Sequence, residues 1–143
     1  MDVRCPVSIC SDVHGVQDEN VKPIRNIVFR NLNGSARSSF LVESNHRGDI
    51  RNITFSGINL KLSNVSVVRS GPGIRYGEFV GTSAPSAFHL TNAENVTIRD
   101  VKIEWGTNSQ NWKYGVMAVN TNPLTINPEC NFGDKPNVIK NIQ

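Results

Sequence analysis

The feature that most constrains this chain is a phrase that occurs twice. The segment IRNIVFRNLNG begins at Ile24, and IRNITFSGINL begins at Ile50, 26 residues later. A repeat period of about 20 to 50 residues is typical of solenoids, in which each repeat buries its apolar side only against its neighbours. The chain is therefore expected to form a stack of similar units.

The core of the phrase is an apolar–x–apolar triplet, and it occurs four times. The triplets are Ile27–Phe29, Ile53–Phe55, Val96–Ile98 and Leu124–Ile126. Their starts are 26, 43 and 28 residues apart, so the second interval contains an extra segment. The first three triplets follow an asparagine, namely Asn26, Asn52 and Asn95.

Short segments with strand-like alternation surround the triplets. The segments that precede them are Pro6–Cys10, Ser39–Glu43, Ala87–Thr91 and Tyr114–Val119. The segments that follow them are Arg30–Gly34, Ser56–Leu62 and Arg99–Trp105, and the tail Asn137–Ile142 opens a further unit. Alternation at period two predicts strands. No stretch shows the helical periodicity that a crossover helix would require.

These observations predict an all-β fold, a right-handed parallel β-helix of about four to five coils. In such a solenoid, equivalent residues of successive coils fall in register, so the triplets would supply the core. The alternate residues that would point inward are Ile27, Phe29, Ile53, Phe55, Val96 and Ile98. The recurring asparagine fits a bend, because asparagine tolerates left-handed backbone angles and can bond to the asparagine one coil away. An antiparallel sandwich is the alternative, but that fold would not explain why one strand resembles another strand 26 residues later.

The length of 143 residues suits one domain, spanning residues 1–143, with a loop insertion near residues 61–85. No apolar run is long enough to span a membrane, and the first ten residues do not have the pattern of a signal peptide.

The net charge of +3 comes from dispersed residues, which argues against nucleic acid as a partner. Three aromatic residues follow the third triplet, namely Trp105, Trp112 and Tyr114. They could stack on sugar rings or cap the end of the core, and we favour the second interpretation.

The sequence predicts neither a metal site nor a cofactor. Three cysteines, Cys5, Cys10 and Cys130, do not have the paired spacing of a zinc site. Bridges between Cys5 and Cys10 or between Cys10 and Cys130 remain open at this stage. His14, His46 and His89 are the only histidines, and nothing in their spacing predicts convergence on a metal.

Two segments resemble the later coils of pectin-degrading β-helix proteins. They are RGDIRNITFSGINLKL at Arg47–Leu62 and PSAFHLTNAENVTIRDVKI at Pro85–Ile103. The pattern is most similar to family 28 glycoside hydrolases, the polygalacturonase and rhamnogalacturonase group, in which a strand, a glycine-bearing turn and a V-R-N-I-T-F-x-N-I phrase follow one another. The resemblance covers residues 24–119 and implies the C-terminal β-helix portion of a polysaccharide hydrolase.

The catalytic signatures of that family have no counterpart in this chain. N-T-D and an adjacent D-D pair are missing, and His14-Gly15 lacks the glycine that would complete G-H-G. Where the family has R-I-K, this sequence has Leu41 and Glu43 in place of the basic residues. No catalytic residue is therefore predicted. An acid pair such as Asp12 with Glu43 is a weaker alternative, because glycoside hydrolysis uses two facing carboxyl groups.

Four residues remain as candidate substrate-binding residues: Glu43, His46, Arg47 and His89. Arg47 and His46 lie in the predicted turn, where an arginine could pair with the carboxylates of an anionic sugar. The expected partner is a polysaccharide or oligosaccharide, with anionic sugars foremost.

The expected role of the chain is to supply scaffold and part of a carbohydrate cleft, so the longer parent protein rather than this chain would be the hydrolase. A noncatalytic carbohydrate-binding or adhesin β-helix and a trimeric structural spike are the alternatives. No capping helix precedes Pro6, so the coil ends are expected to favour self-association. A pectin-type parent would be secreted or periplasmic.

Overall fold

The computed structural model of this protein describes residues 2–3, 6–11, 22–44, 46–63, 86–107 and 109–142. Over these ranges the chain is all-β, and the only helical element is a single 3-10 turn at Ser109–Asn111. Ten strands form two five-stranded sheets, and every pair of neighbouring strands is parallel. This arrangement is consistent with the solenoid that the repeat predicted.

The strands alternate between the two sheets along the chain. Sheet A contains β1 (Asp2–Val3), β3 (Ile24–Ala36), β5 (Ile50–Leu62), β7 (Ala93–Trp105) and β9 (Leu124–Ile126), in that spatial order. Sheet B contains β2 (Val7–Cys10), β4 (Phe40–Glu43), β6 (Ser86–Thr91), β8 (Tyr114–Val119) and β10 (Val138–Lys140), also in chain order. Each strand therefore pairs with the equivalent strand one repeat away, so each sheet has five rungs.

The repeated phrases of the sequence pair with one another in a single continuous register. Ile27 pairs with Ile53, and Ile53 pairs with Val96, so the three residues form a single column. Leu124 continues this column on β9. The predicted columns are confirmed, because the sequence intervals match whole rungs of the sheet once the extra segment is set aside.

The long strands of sheet A are bent at two positions by left-handed residues. In β5 the bends are at Asn52, with a φ of 58°, and at Gly57, with a φ of 68°. The sequence divided this stretch into a triplet and a separate following segment, whereas the structure joins them into one 13-residue strand. Single-residue bends change the chain direction without ending the ladder of hydrogen bonds. Gly57 is also required for space, because a Cβ there would lie 2.6 Å from Oδ1 of Asn31.

The asparagines that precede the triplets form a hydrogen-bonded ladder on the outside of sheet A. Nδ2 of Asn52 donates to Oδ1 of Asn26, and Nδ2 of Asn95 donates to Oδ1 of Asn52, both at 2.8 Å. All three asparagines have positive φ values, between 55° and 62°. The predicted bond between asparagines one coil apart is confirmed. The ladder ends at Pro123, whose carbonyl accepts from the backbone N–H of Val96.

Phenylalanine rings fill the space between the two sheets. Phe29 stacks on Phe55 within sheet A at 5.2 Å, and Phe40 stacks on Phe88 within sheet B at 4.6 Å. Phe55 meets Phe40 and Phe88 edge to face, which joins the two stacks. Edge-to-face and offset contacts of this kind are favourable beyond the area that they bury. The inner faces of the two sheets therefore pack against each other around one aromatic cluster.

Four of the six predicted core residues are fully buried, namely Ile53, Phe55, Val96 and Ile98. Ile27 and Phe29 are only half-buried, although they pack against the core. The reason is their position in the outer rungs: β1 pairs only with Ser35 and Ala36 at the far end of β3. Among the described residues, the first half of β3 therefore has a strand partner on one side alone.

Aromatic residues cover the C-terminal end of the core. Trp112 is completely buried, and its indole N–H donates to the carbonyl of Ser63 at 3.0 Å. The indole of Trp105 donates to the carbonyl of Phe132 at 2.8 Å and contacts Trp112. Both tryptophans therefore pack with the core, which favours the capping interpretation over stacking on sugar rings. Gly115 is required here, because a Cβ at this position would lie 2.5 Å from the ring of Phe132.

Two expectations concern the loop insertion and the cysteines. Lys61 and Leu62 were placed in the loop insertion, but the structure assigns them to β5, and residues 64–85 of that insertion lie outside the described residues. Cys10 and Cys130 are not joined by a disulfide bridge. Cys5 lies outside the described residues.

Candidate functional site

The outward face of sheet B brings together two of the four predicted site residues. Phe40 and Val42 of β4 point into the core, so the alternating residues Leu41 and Glu43 point outward. The same alternation on β6 turns His89 and Thr91 outward. Leu41 pairs with His89 and Glu43 pairs with Thr91 across the two strands. Glu43 and His89 are therefore diagonal neighbours, about 7 to 8 Å apart.

This face consists of two parallel columns of side chains, with about 4.8 Å between rungs. The His89 column contains Ser8, Leu41, His89, Met117 and Val138. The Glu43 column contains Cys10, Glu43, Thr91, Val119 and Lys140. Each column mixes apolar side chains with a few polar or charged groups, so the face offers both kinds of contact to a ligand.

The imidazole of His89 is an unusual group on this face, because its Nδ1 atom is buried and has no hydrogen-bond partner. Burial lowers the pKa of His89 below its ordinary value of 6.5, since the charged imidazolium loses hydration there. The side chain is therefore neutral at pH 7. A neutral imidazole offers one donor and one acceptor, so His89 can hydrogen-bond to a hydroxyl group of a ligand.

The burial of His89 leads to a pH-dependent stability. As the pH falls below 6.5, the unfolded chain binds a proton at residue 89 before the folded chain does, so the free energy of unfolding decreases. Urea unfolding between about pH 5 and pH 8 should show a steeper loss of stability for the native chain than for a His89→Gln variant. The difference between the two profiles isolates His89 from His14 and His46. Parallel profiles, or a native chain that gains stability in acid, would contradict the assignment.

The other two predicted site residues lie in the turn at residues 46–49, which follows β4. Oγ of Ser44 donates to the carbonyl of His46 at 2.8 Å and accepts from its backbone N–H at 3.2 Å. The N–H of Asp49 donates to the same carbonyl at 3.3 Å. Gly48 has a φ of 94°, which glycine adopts without strain. The turn is thus a compact structure fixed at the C-terminal end of β4.

Arg47 extends from this turn across the neighbouring rung. Its Nη2 donates to the carbonyl oxygen of Asn122 at 3.3 Å and also to Oδ1 of that residue. Asn122 in turn donates to Oδ1 of Asn141 at 3.1 Å. Arg47 is exposed, and a guanidinium carries five N–H donors, so Nε and Nη1 remain available to a ligand. Asn122 therefore positions an arginine whose charge faces solvent.

The described part of sheet B does not present the two carboxylates that glycoside hydrolysis requires. Glu43 is the only acidic residue in either outward column, and inverting and retaining enzymes place their carboxyl groups about 5 to 9.5 Å apart. Asp12, the suggested partner of Glu43, lies outside the described residues. Glu94 lies at the turn instead, with Oε2 against Gly48. These residues can bind a sugar, but they do not form an acid–base pair.

Sequence reasoning missed Lys140 and Asn122. Lys140 shares the Glu43 column, but its place depends on the register of β10 with β8, which the sequence alone does not fix. The tail Asn137–Ile142 was correctly taken as the start of a further coil, and that signal could have led to Lys140. Nothing in the sequence indicated that Arg47 reaches Asn122, because the contact joins residues 75 positions apart.

Two further features of the described residues bear on function. No group of three or more histidine, cysteine, aspartate or glutamate side chains is close enough to hold a metal ion within these ranges. No helix in the same ranges has the length and apolar character that crossing a membrane would require.

Comparison with family models, with curated proteins and with solved structures finds no match for this chain. The geometry of sheet B and of the turn beside it is therefore the basis for a functional proposal.

Proposed function

We propose that this chain is the C-terminal β-helix portion of a pectin-type polysaccharide hydrolase, in which it supplies scaffold and part of the carbohydrate cleft. The alternation of strands between two parallel sheets supports the β-helix. Parallel strands joined through a crossover are right-handed in about 98% of proteins, which gives the coil its expected hand. The ligand would lie along the outward face of sheet B, across the rungs.

The observation that carries this proposal is the joint placement of Glu43 and His89 beside the turn that bears Arg47. Apolar groups such as Leu41 and Met117 can contact the C–H face of a sugar ring, while Glu43 and His89 bond to hydroxyl groups. Arg47 lies at the edge, where its free N–H groups can pair with a carboxylate. The face therefore suits an oligosaccharide with carboxylate groups, such as an oligogalacturonide.

One observation favours a second candidate function, a noncatalytic carbohydrate-binding β-helix. The described outward columns contain a single carboxylate, Glu43, so bond cleavage would need residues from elsewhere. A reducing-end assay on polygalacturonate separates the two candidates when it is performed on the longest natural form of the protein. Release of reducing ends supports the hydrolase, whereas binding without release supports the noncatalytic protein.

The substrate class is tested by replacing Arg47 with alanine. Loss of a charge-assisted hydrogen bond costs about 1.5 to 3 kcal/mol, so affinity for oligogalacturonide should fall about tenfold to a hundredfold. Isothermal titration calorimetry measures this change. A ligand with methyl-esterified carboxylates should bind the native chain and the variant equally, because the arginine then has no anion to pair with.

Arg99→Ala is the matched control, since Arg99 is an exposed arginine on sheet A that bonds to Oγ of Ser56. Its affinity for oligogalacturonide should equal that of the native chain. Equal losses in both variants would show a general charge effect and would contradict a specific role for Arg47. If the native chain binds neither ligand, carbohydrate binding on sheet B is wrong.

A further inference from the structure

A pair of arginines lies on adjacent rungs of sheet A, away from the face proposed for carbohydrate. Arg25 of β3 pairs directly with Arg51 of β5. The preceding residues Ile24 and Ile50 pack into the core, so both arginines point outward from the same column. Like charges directly opposite each other in a sheet are destabilising, so the pairing calls for a compensating group.

A second observation indicates that the Arg51 side chain lacks a hydrogen-bond partner. Its Nε atom is buried and makes no hydrogen bond, and His89 Nδ1 is the only other such side-chain atom in the described ranges. Leaving a buried donor unsatisfied costs about 1 to 3 kcal/mol, and native proteins seldom tolerate it without a reason. A guanidinium with unused donors is suited to bidentate binding of an oxyanion through its terminal nitrogens.

The acidic residue that pairs with Arg51 across the next rung does not satisfy this donor. Glu94 is the next residue in the column after Arg51. Its Oε2 lies 3.2 Å from the position that a Cβ of Gly48 would occupy, so the carboxylate rests against the turn. Arg51 Nε remains without a partner although Glu94 is adjacent. An external anion would have to approach Arg51 from the side of Arg25, away from this carboxylate.

We propose that Arg25 and Arg51 form a binding site for an oxyanion of the sulfate or carboxylate type. The anion would accept from the terminal nitrogens of both guanidinium groups and remove the repulsion between two like charges. The site is separate from Arg47, whose contact Asn122 lies just before β9, and β9 is two rungs beyond β5 in sheet A, at about 4.8 Å per rung. It therefore goes beyond the proposed carbohydrate face and does not depend on it.

Titration of the full chain with sodium sulfate tests the site, with calorimetry as the measurement and chloride at equal ionic strength as the reference. The native chain should bind one sulfate with a saturable isotherm. Arg25→Gln and Arg51→Gln should each weaken this binding at least tenfold, and Arg99→Gln should leave it unchanged. No saturable binding by the native chain, or an equal loss in Arg99→Gln, would overturn the proposal.

Arg51→Lys guards against a variant that simply fails to fold. Lysine keeps the positive charge and the aliphatic stem but has neither the Nε donor nor the planar fork, so sulfate binding should still weaken. The unfolding midpoint provides an independent readout, because a ligand bound only by the folded chain raises it to an extent set by its affinity. Sulfate also stabilises proteins generally through exclusion from their surfaces. A rise of equal size in the native chain and in Arg51→Lys would therefore count against the site.

A competition experiment identifies the source of the anion. Displacement of sulfate by oligogalacturonide would show that the site takes a carboxylate of the polymer, and unaltered sulfate binding would show that it takes a free ion. Both results support the site itself. Because sulfate is the probe, failure of the Arg47 experiment would leave this test intact, and the reverse is also true.

Discussion

Replacing Phe88 with alanine is expected to destabilise the chain by about 3 to 5 kcal/mol, the usual cost of removing a buried phenylalanine. Phe88 is completely buried, and its ring stacks on Phe40 and meets Phe55 and Phe132 edge to face. The variant loses contacts within sheet B, across to sheet A and with the C-terminal cap. Such a loss is a large part of the total stability of a small domain, about 5 to 15 kcal/mol.

Urea denaturation followed by circular dichroism measures this effect. Val28→Ala is the control, because Val28 is 49% exposed on the outside of sheet A and its truncation should change the free energy of unfolding by less than about 0.5 kcal/mol. A loss below about 1 kcal/mol for Phe88→Ala would mean that the aromatic cluster does not join the two sheets.

Replacing Asn52 should have the second largest effect. Its side chain both donates and accepts in the asparagine ladder, and its φ of 58° is costly for most other residues. Asn52→Ala should lose about 2 to 4 kcal/mol, of which about 1 to 2 kcal/mol is the left-handed backbone and the remainder the two hydrogen bonds. Glycine adopts this left-handed backbone angle without strain, so Asn52→Gly should lose only the hydrogen bonds, about 1 to 2 kcal/mol.

The two variants separate the backbone contribution from that of the ladder, and thermal or urea unfolding of each provides the comparison. Asn59→Ala is the matched control on the same strand, since Asn59 is exposed and has an ordinary φ. Equal stabilities of the alanine and glycine variants would show that the left-handed angle is not a constraint. A native-like stability in both would show that the ladder contributes nothing.

The parallel register could be predicted from the sequence because each rung repeats the same local chemistry. Asn26, Asn52 and Asn95 mark the same bend, and the triplets after them supply inward side chains at period two. The same local signals occur on both sides of the extra segment between β5 and β6. Half-burial of Ile27 and Phe29 could not be predicted, because it depends on how far β1 extends along β3.

The candidate site was less accessible to prediction, since it depends on contacts between distant residues. Glu43 and His89 were identified as separate candidates, and only the pairing of β4 with β6 makes them diagonal neighbours. The Arg25–Arg51 pair was not predicted, although both residues occupy the same place in the repeated phrase. The repeat alone could have revealed that pair, but the unsatisfied Nε of Arg51 requires coordinates.

The connections between rungs differ greatly in length, from the single residue Asn92 between β6 and β7 to the segment 63–85 between β5 and β6. Within β5, by contrast, a one-residue slip would exchange inward and outward side chains beyond that point. Natural variants of this architecture are therefore free to gain or lose residues only at the connections. New recognition loops can arise there while the strands that present Glu43 and His89 keep their spacing.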